Sequence, residues 1–212
     1  MLDDLKVRVP GYGELGVGRE DGKQKGEYSA ILYREAAWEA TASGTFWLSD
    51  TPEVVASSTW GNKVTRICTW GRFKNKTSGK ELFVFNAHFD HQSQPSREKA
   101  AALVLQRIRD RGSNAPVIVT GDFNATPENA AVTTLLKGPP VFTEAWLSLH
   151  KDIPAAEAGT FHDFSGKQDR GHIDYIFSSP EITPVESAIL HDGKDGKYPS
   201  DHFPVRATLK VP

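Results

Sequence analysis

Four short segments of this chain set acids, amides and histidines directly behind apolar runs. They are Asn86-Ala87-His88-Phe89-Asp90-His91, Thr120-Gly121-Asp122-Phe123-Asn124, His172-Ile173-Asp174-Tyr175 and Ser200-Asp201-His202-Phe203. If the fold brings them together, they supply histidines and carboxylates at strand ends. Hydrolysis of a phosphate ester needs that kind of set: a water loses a proton, a leaving oxygen gains one, and spread negative charge is countered. Each segment alone also has a plainer reading. Gly121-Asp122-Phe123-Asn124 is a natural strand-ending turn, because Asp and Asn bond their own backbone; a lone His202 is a satisfied histidine near a core strand, and a lone Asp174 caps a turn.

The elements that must position these groups are mostly strands. Strand-like runs recur at Tyr28 to Tyr33, Arg66 to Phe73, Leu82 to Asn86, Val117 to Thr120, Ile173 to Phe177, Val185 to Leu190 and Phe203 to Leu209. Val117-Ile118-Val119 and Leu82-Phe83-Val84-Phe85 are continuously apolar, which suits strands covered on both faces. The clearest helix follows Pro95, with Ala101, Val104, Leu105 and Ile108 on one face and Arg107, Arg109 and Arg111 crowding its end before Gly112. A shorter helix is predicted from about Glu128 to Leu136, entered through Thr126-Pro127 and stopped by Gly138-Pro139-Pro140. Helices between strands make an α/β protein, and the short link Asn75 to Gly79 adds antiparallel pairing, so a mixed sheet is expected. Gly11 to Lys25, Asp50 to Thr65 and Ile153 to Gly171 read as long loops, where binding groups usually sit.

The composition narrows the functional class. A length of 212 residues gives one sizeable core, so a single domain over 1–212 is expected. A formal charge of -2 does not describe a sequence-independent DNA binder, although a local basic patch stays open. Trp47, Trp60 and Trp70 are candidates for stacking bases and equally for filling a core. Cys68 is the only cysteine, which excludes an intrachain disulfide and a zinc ribbon. No apolar run is long enough to span a bilayer, and the start lacks a secretory signal, so the chain as written reads as cytoplasmic unless an address lies upstream.

Gly121-Asp122-Phe123-Asn124-Ala125-Thr126-Pro127, Ile173-Asp174-Tyr175-Ile176 and Ser200-Asp201-His202-Phe203-Pro204-Val205, with Asn86-Ala87-His88, stand in the order and spacing of a known group. From about Leu2 to Leu209 the chain resembles the endonuclease/exonuclease/phosphatase superfamily, the deoxyribonuclease I-like proteins. The resemblance implies a four-layer α/β/β/α sandwich of two mixed sheets. It also implies a divalent-metal-dependent phosphoesterase, acting on a phosphodiester as nucleases do or on a phosphomonoester, by in-line attack of an activated water.

Carried over residue by residue, the resemblance gives Asp122 the task of orienting or deprotonating the water and Asn124 that of holding the water or a phosphoryl oxygen. His202 faces the scissile phosphate with Asp174 on its other ring nitrogen. His88 approaches as donor or acid. Asp201 supplies a carboxylate to Mg²⁺ or Mn²⁺, with Asp122, Asn124 and His202 as a second metal position; hard oxygen donors make zinc the poorer match. Arg66 is a candidate phosphate clamp, alternatively a strand-end surface arginine, and His91 either extends the histidine cluster or is a solvated loop residue.

The chain also departs from the superfamily pattern. Met1 to Tyr12 resembles the helix and Pro-Gly-Tyr turn that follow the second strand of relatives, so the first two strands, the helix between them and the Gln-Glu metal ligand are expected to be absent. Glu14, Glu20 and Glu27 lie beyond that turn, and none matches the missing position. Exposed sheet edges would then favour self-association. A second reading follows: a catalytically impaired relative that binds phosphorylated ligands or a partner chain.

Overall fold

The apolar runs that end in the chemical motifs are neighbours in one sheet. The computed structural model describes residues 5, 7–154 and 157–212. Its strands are β1 (Tyr12–Leu15), β2 (Ile31–Arg34), β3 (Trp38–Trp47), β4 (Ile67–Asn75), β5 (Glu81–His88), β6 (Val117–Asp122), β7 (Thr143–Glu144), β8 (Asp174–Ser178), β9 (Thr183–Ile189) and β10 (Val205–Lys210); its helices are α1 (Gln94–Arg109), α2 (Ala130–Lys137) and α3 (Ala145–Leu149). Six strands form the main sheet in the order β3-β4-β5-β6-β8-β7. Only β5 and β6 run parallel, joined by the α1 crossover; the other pairs are antiparallel, and the Asn75–Gly79 link turns β4 into β5 as its sequence suggests.

Helix α1 starts where Ser93 accepts from the Ser96 amide, with Pro95 in the first turn, where a missing N–H costs nothing. It buries Ala100, Ala101, Val104, Leu105 and Ile108, and α2 adds Ala131, Val132 and Leu135. These cover Phe83, Phe85, Val117, Val119, Tyr175 and Phe177 on one face of the sheet, forming the main core. Each large side chain removed from water there contributes roughly 1.5–3 kcal/mol. The second layer consists of two antiparallel ladders, β1-β2 and β9-β10. The first packs Leu15, Ile31 and Tyr33 on Phe73 and Leu82. Between the ladders, Val84 and Ile118 are only half-buried, so the double coverage expected of those strands is complete on the helix side alone.

Several sequence expectations need correction. Gly11 to Lys25 is not all loop, since it contains β1. Strand β3 escapes sequence reading because Ala40-Thr41-Ala42-Ser43-Gly44 has neither strong alternation nor high strand propensity; as the edge strand it is held by its ladder with β4. Pro127 is not the first helical residue: Asn129 caps α2 by accepting from the Ala131 amide, and Thr126 to Asn129 is a turn. Leu5, Val7 and Arg8 are helical and lead into the Pro10-Gly11 turn, while Met1 to Asp4 and Lys6 lie outside the described residues. Among the described residues no helix is long and apolar enough to cross a membrane.

Candidate active site

The registers of β5, β6 and β8 put His88 opposite Asp122 and Asp122 opposite Asp174. Paired residues across a ladder share a face, so one cross-strand row carries three of the chemical side chains at one edge of the sheet. They point away from the helices, into the gap between the two ladders.

Local geometry sets Asp122 within that row. Gly121 has φ of +145°, and a Cβ there would run into the Ala87 backbone, so β5 and β6 approach closely only because residue 121 is glycine. Asn124 follows in the left-handed region, φ +47°, which asparagine tolerates. Its backbone N–H donates to Asp122 Oδ1 at 2.8 Å; its amide donates to Asp122 Oδ2 at 3.2 Å and to the Phe89 carbonyl at 3.0 Å. Asn124 therefore braces Asp122 through both its backbone and its side chain.

His202 reaches the row from another part of the chain. Its Nδ1 lies 2.8 Å from Asp174 Oδ2, and its Nε2 lies 3.9 Å from Asp122 Oδ2. Thr160, fully buried, ties the two segments: its Oγ1 accepts from the amides of Ile173 and Asp174, and its carbonyl accepts from Phe203 at 2.7 Å. Burial alone would lower the His202 pKa; the hydrogen bond to Asp174 and the charges of Asp174, Asp122 and Asp201 outweigh it and raise it to about 9.

His88 sits between two carboxylates, with Nε2 3.2 Å from Asp122 Oδ2 and Nδ1 3.4 Å from Glu27 Oε2. An imidazole can donate at both nitrogens only as the cation. Burial opposes that charge, but Asp122 and Glu27 overcome it and the His88 pKa is raised. Reciprocally, Asp122 is held below the ordinary carboxylate range, since His88, the Asn124 amide and His202 together outweigh its own burial.

Asp122, Asp174 and His202 offer ligand atoms within 4.8 Å of one another. The two carboxylates are hard, anionic oxygen donors of the kind that suit Mg²⁺ or Mn²⁺, whereas the imidazole can serve as a ligand only when neutral. Asp201 stands outside that group, its Oδ1 3.4 Å from Ser200 Oγ. Arg66 is buried rather than on the surface; its Nη2 meets His91 Nδ1 at 2.8 Å, and its Nε lies 3.7 Å from Asp90 Oδ2. His91 is thus tied to Arg66 and itself exposed. Trp47 and Trp60 are buried, and their indole N–H groups donate to Arg19 O and Asp50 Oδ1, as suits residues that fill a core. A cavity of about 700 Å³ lined by Phe46, Trp60, Trp70 and Arg107 lies on the helix side of the sheet, away from this row.

Three contributors escape sequence reading: Glu27, Arg19 and Thr160. For the first two the available signal was a charged, glycine-dense loop directly before an apolar strand; Thr160 gave none, because its role is made of backbone hydrogen bonds between distant segments.

Relatives with known structures share this arrangement of elements. A Bacteroides vulgatus endonuclease/exonuclease/phosphatase is 34% identical with a TM-score of 0.90, covering 100% of this chain and 80% of its own. The mannosyl-6-phosphatase Bt3783 of Bacteroides thetaiotaomicron is 38% identical with a TM-score of 0.88, covering 99% of this chain and 81% of its own. Tyrosyl-DNA phosphodiesterase 2 of Danio rerio is 27% identical over 147 residues, which is 63% of this chain but 39% of that protein. The other curated relative, uncharacterized protein L388 of Acanthamoeba polyphaga mimivirus, is matched over 30% of its length, so this chain aligns with well under half of either. Residues 8–202 match the Endonuclease/Exonuclease/phosphatase family, and with the fold and the motif row in agreement, the chain belongs to that family.

Proposed function

We propose that this protein is a divalent-metal-dependent phosphoester hydrolase whose preferred substrate is a small phosphomonoester. The observation that carries the reading is the convergence of His88, Asp122, Asp174 and His202, from four separate segments, on one edge of the main sheet. Membership of a family of phosphodiesterases and phosphatases agrees with it.

Asp122 orients the attacking water and accepts its proton as the oxygen bonds to phosphorus. The bond from phosphorus to the leaving oxygen breaks, and that oxygen takes a proton from the His88 imidazolium. His202, kept charged and oriented by Asp174, donates to a phosphoryl oxygen where negative charge grows. Asn124 fixes Asp122. Asp122 and Asp174 would hold the cation, with Asn124 and Asp201 as further donors, while the charged His202 stays with the phosphoryl oxygen. When bound, the cation supplies positive charge opposite the phosphoryl oxygens. Arg66 adds charge from beneath the site.

The small-substrate preference rests on the net charge of -2 and on 38% identity to a mannosyl-6-phosphatase, against 27% to a DNA-processing relative. The test is a panel of sugar phosphates, nucleotides, bis(4-nitrophenyl) phosphate and plasmid DNA, assayed with Mg²⁺ or Mn²⁺. Turnover that favours the monoesters and disappears in His202→Ala is expected. Folded protein that hydrolyses no member of the panel refutes catalysis, and a preference for DNA refutes the substrate class.

A further inference from the structure

Of the tryptophans that sequence offers for stacking a base, Trp47 and Trp60 are buried and give their indole N–H groups to acceptors, whereas Trp70 is half-buried and its N–H has no acceptor among the described residues. Its ring lines the cavity of about 700 Å³ on the helix side of the main sheet, behind the face that carries the catalytic row. The strand register explains the opening. Gly44 on the edge strand β3 stands directly opposite Trp70, and a Cβ there would come within 2.8 Å of the indole nitrogen, so a glycine lets the ring lie out over β3. On the other side Phe85 is its ladder partner, and Phe83 stacks on it at 6.4 Å. Lys99, Ala102, Gln106 and Arg107 follow helical spacing along α1 beside its buried face, and the short side chain of Ala102 leaves the space above the rings open.

The rim carries both signs of charge. Lys99 lies over Trp60 and Arg107 over Phe46, each with an exposed acid beside it: Asp50 at 3.9 Å and Glu53 at 2.5 Å. Arg111 lies over Phe83 and has a different setting. Its Nη1 and Nη2 donate to the carbonyls of Ile108 and Ala115, its Nε is buried without a partner, and among the described residues no carboxylate pairs with it; Glu181 acts on it only from farther away. Asp110, also on the rim, is exposed and without an ion pair among the described residues. A wholly apolar guest would leave the Arg111 charge uncountered, and an aliphatic acid would use neither the indole N–H nor Asp110. A purine nucleotide uses all three. Its base stacks on an indole, its phosphate takes guanidinium donors from Arg107 and Arg111, four positions apart, and its amino or hydroxyl groups donate to Asp110. The exposed Arg107–Glu53 pair opens at little cost, and the volume falls among ordinary ligand pockets.

We propose that the cavity between α1 and strands β3, β4 and β5 binds a purine mononucleotide, stacked on Trp70 with its phosphate on Arg107 and Arg111, at a site separate from the hydrolytic row. The proposal stands independently of the phosphoester-hydrolase reading above.

The experiment titrates adenosine monophosphate into the full chain by calorimetry, in EDTA so that cation-dependent turnover is withheld, for wild type, Trp70→Leu, Ala102→Phe and His202→Ala. Wild type should bind with a Kd below about 1 mM. Trp70→Leu, which removes the stacking ring, and Ala102→Phe, which fills the space from an exposed helix position and disturbs no buried residue, should each weaken binding about tenfold or more, while His202→Ala stays within about twofold of wild type. No binding by wild type overturns the proposal. So does an affinity in Ala102→Phe within about twofold of wild type, which tests the cavity even if Trp70→Leu does not fold. A loss in His202→Ala equal to that in the cavity variants places the nucleotide in the hydrolytic row and overturns the separate site.

Discussion

His202 holds Asp174 at 2.8 Å through Nδ1 and turns Nε2 toward Asp122 at 3.9 Å, so one imidazole stands between two carboxylates carried on neighbouring strands. Asp174→Asn removes the charge that keeps this ring protonated and oriented. By analogy with other oriented histidines, kcat should fall by about 10² to 10⁴ with the fold intact. Steady-state kinetics beside a circular dichroism spectrum checks this, and unchanged kcat would remove Asp174 from the mechanism.

The same pair gives the metal-free protein a pH dependence. The His202 pKa is raised from 6.5 to about 9 in the folded state. The associated stability is complete below the unfolded pKa of about 6.5 and is lost as pH rises through about 9, an effect on the order of 3 kcal/mol. Thermal melts between pH 6 and 10 in EDTA should show wild type losing more stability than Asp174→Asn. Parallel curves would contradict the assignment, as would an NMR titration that places His202 near its ordinary value.

Cation binding should depend on Asp122. Calorimetry with Mn²⁺ is expected to show binding by wild type and more than about tenfold weaker binding by Asp122→Ala, because a direct ligand matters more than its outer partners. No heat from wild type, or equal affinity in the variant, would dismiss the Asp122 and Asp174 pair as a metal site.

Thr160→Val keeps the shape and deletes the hydroxyl that accepts from Ile173 and Asp174. Two amides then lose an acceptor, costing about 1–3 kcal/mol in urea unfolding, and kcat falls as the Asp174–His202 pair loosens. Thr160→Ser should recover most of both. A valine variant as stable and active as wild type would show that Thr160 positions nothing.

Gly121→Ala places a methyl against the Ala87 backbone at a φ that disfavours side chains. Neither strand can yield without breaking the β5-β6 register, so a loss above about 3 kcal/mol is expected, read as failure to give a cooperative melt. A variant with near-wild-type Tm would mean that the two strands are not held as tightly as the structure shows.

The sequence by itself determined the parts of this protein written in local chemistry. Continuous apolar runs marked β5 and β6, and a strand-like run marked β8; a proline, a four-residue apolar face and an arginine-rich end marked α1; and Asp, Asn and His in or directly behind those runs marked the row at their ends. These signals are legible because turn preference, helix periodicity and strand length depend on near neighbours. Tertiary structure alone decided which groups meet. It buried Arg66 against His91 and Asp90, drew Asp174 rather than Asp201 to the convergent ligand group, held low-propensity β3 by its ladder with β4, and swung Glu27 to the back of His88 across 61 positions of sequence. The physical reason is that an ion pair or a ladder bond acts over a few ångströms of space, and composition and spacing do not say which distant segments will come that close.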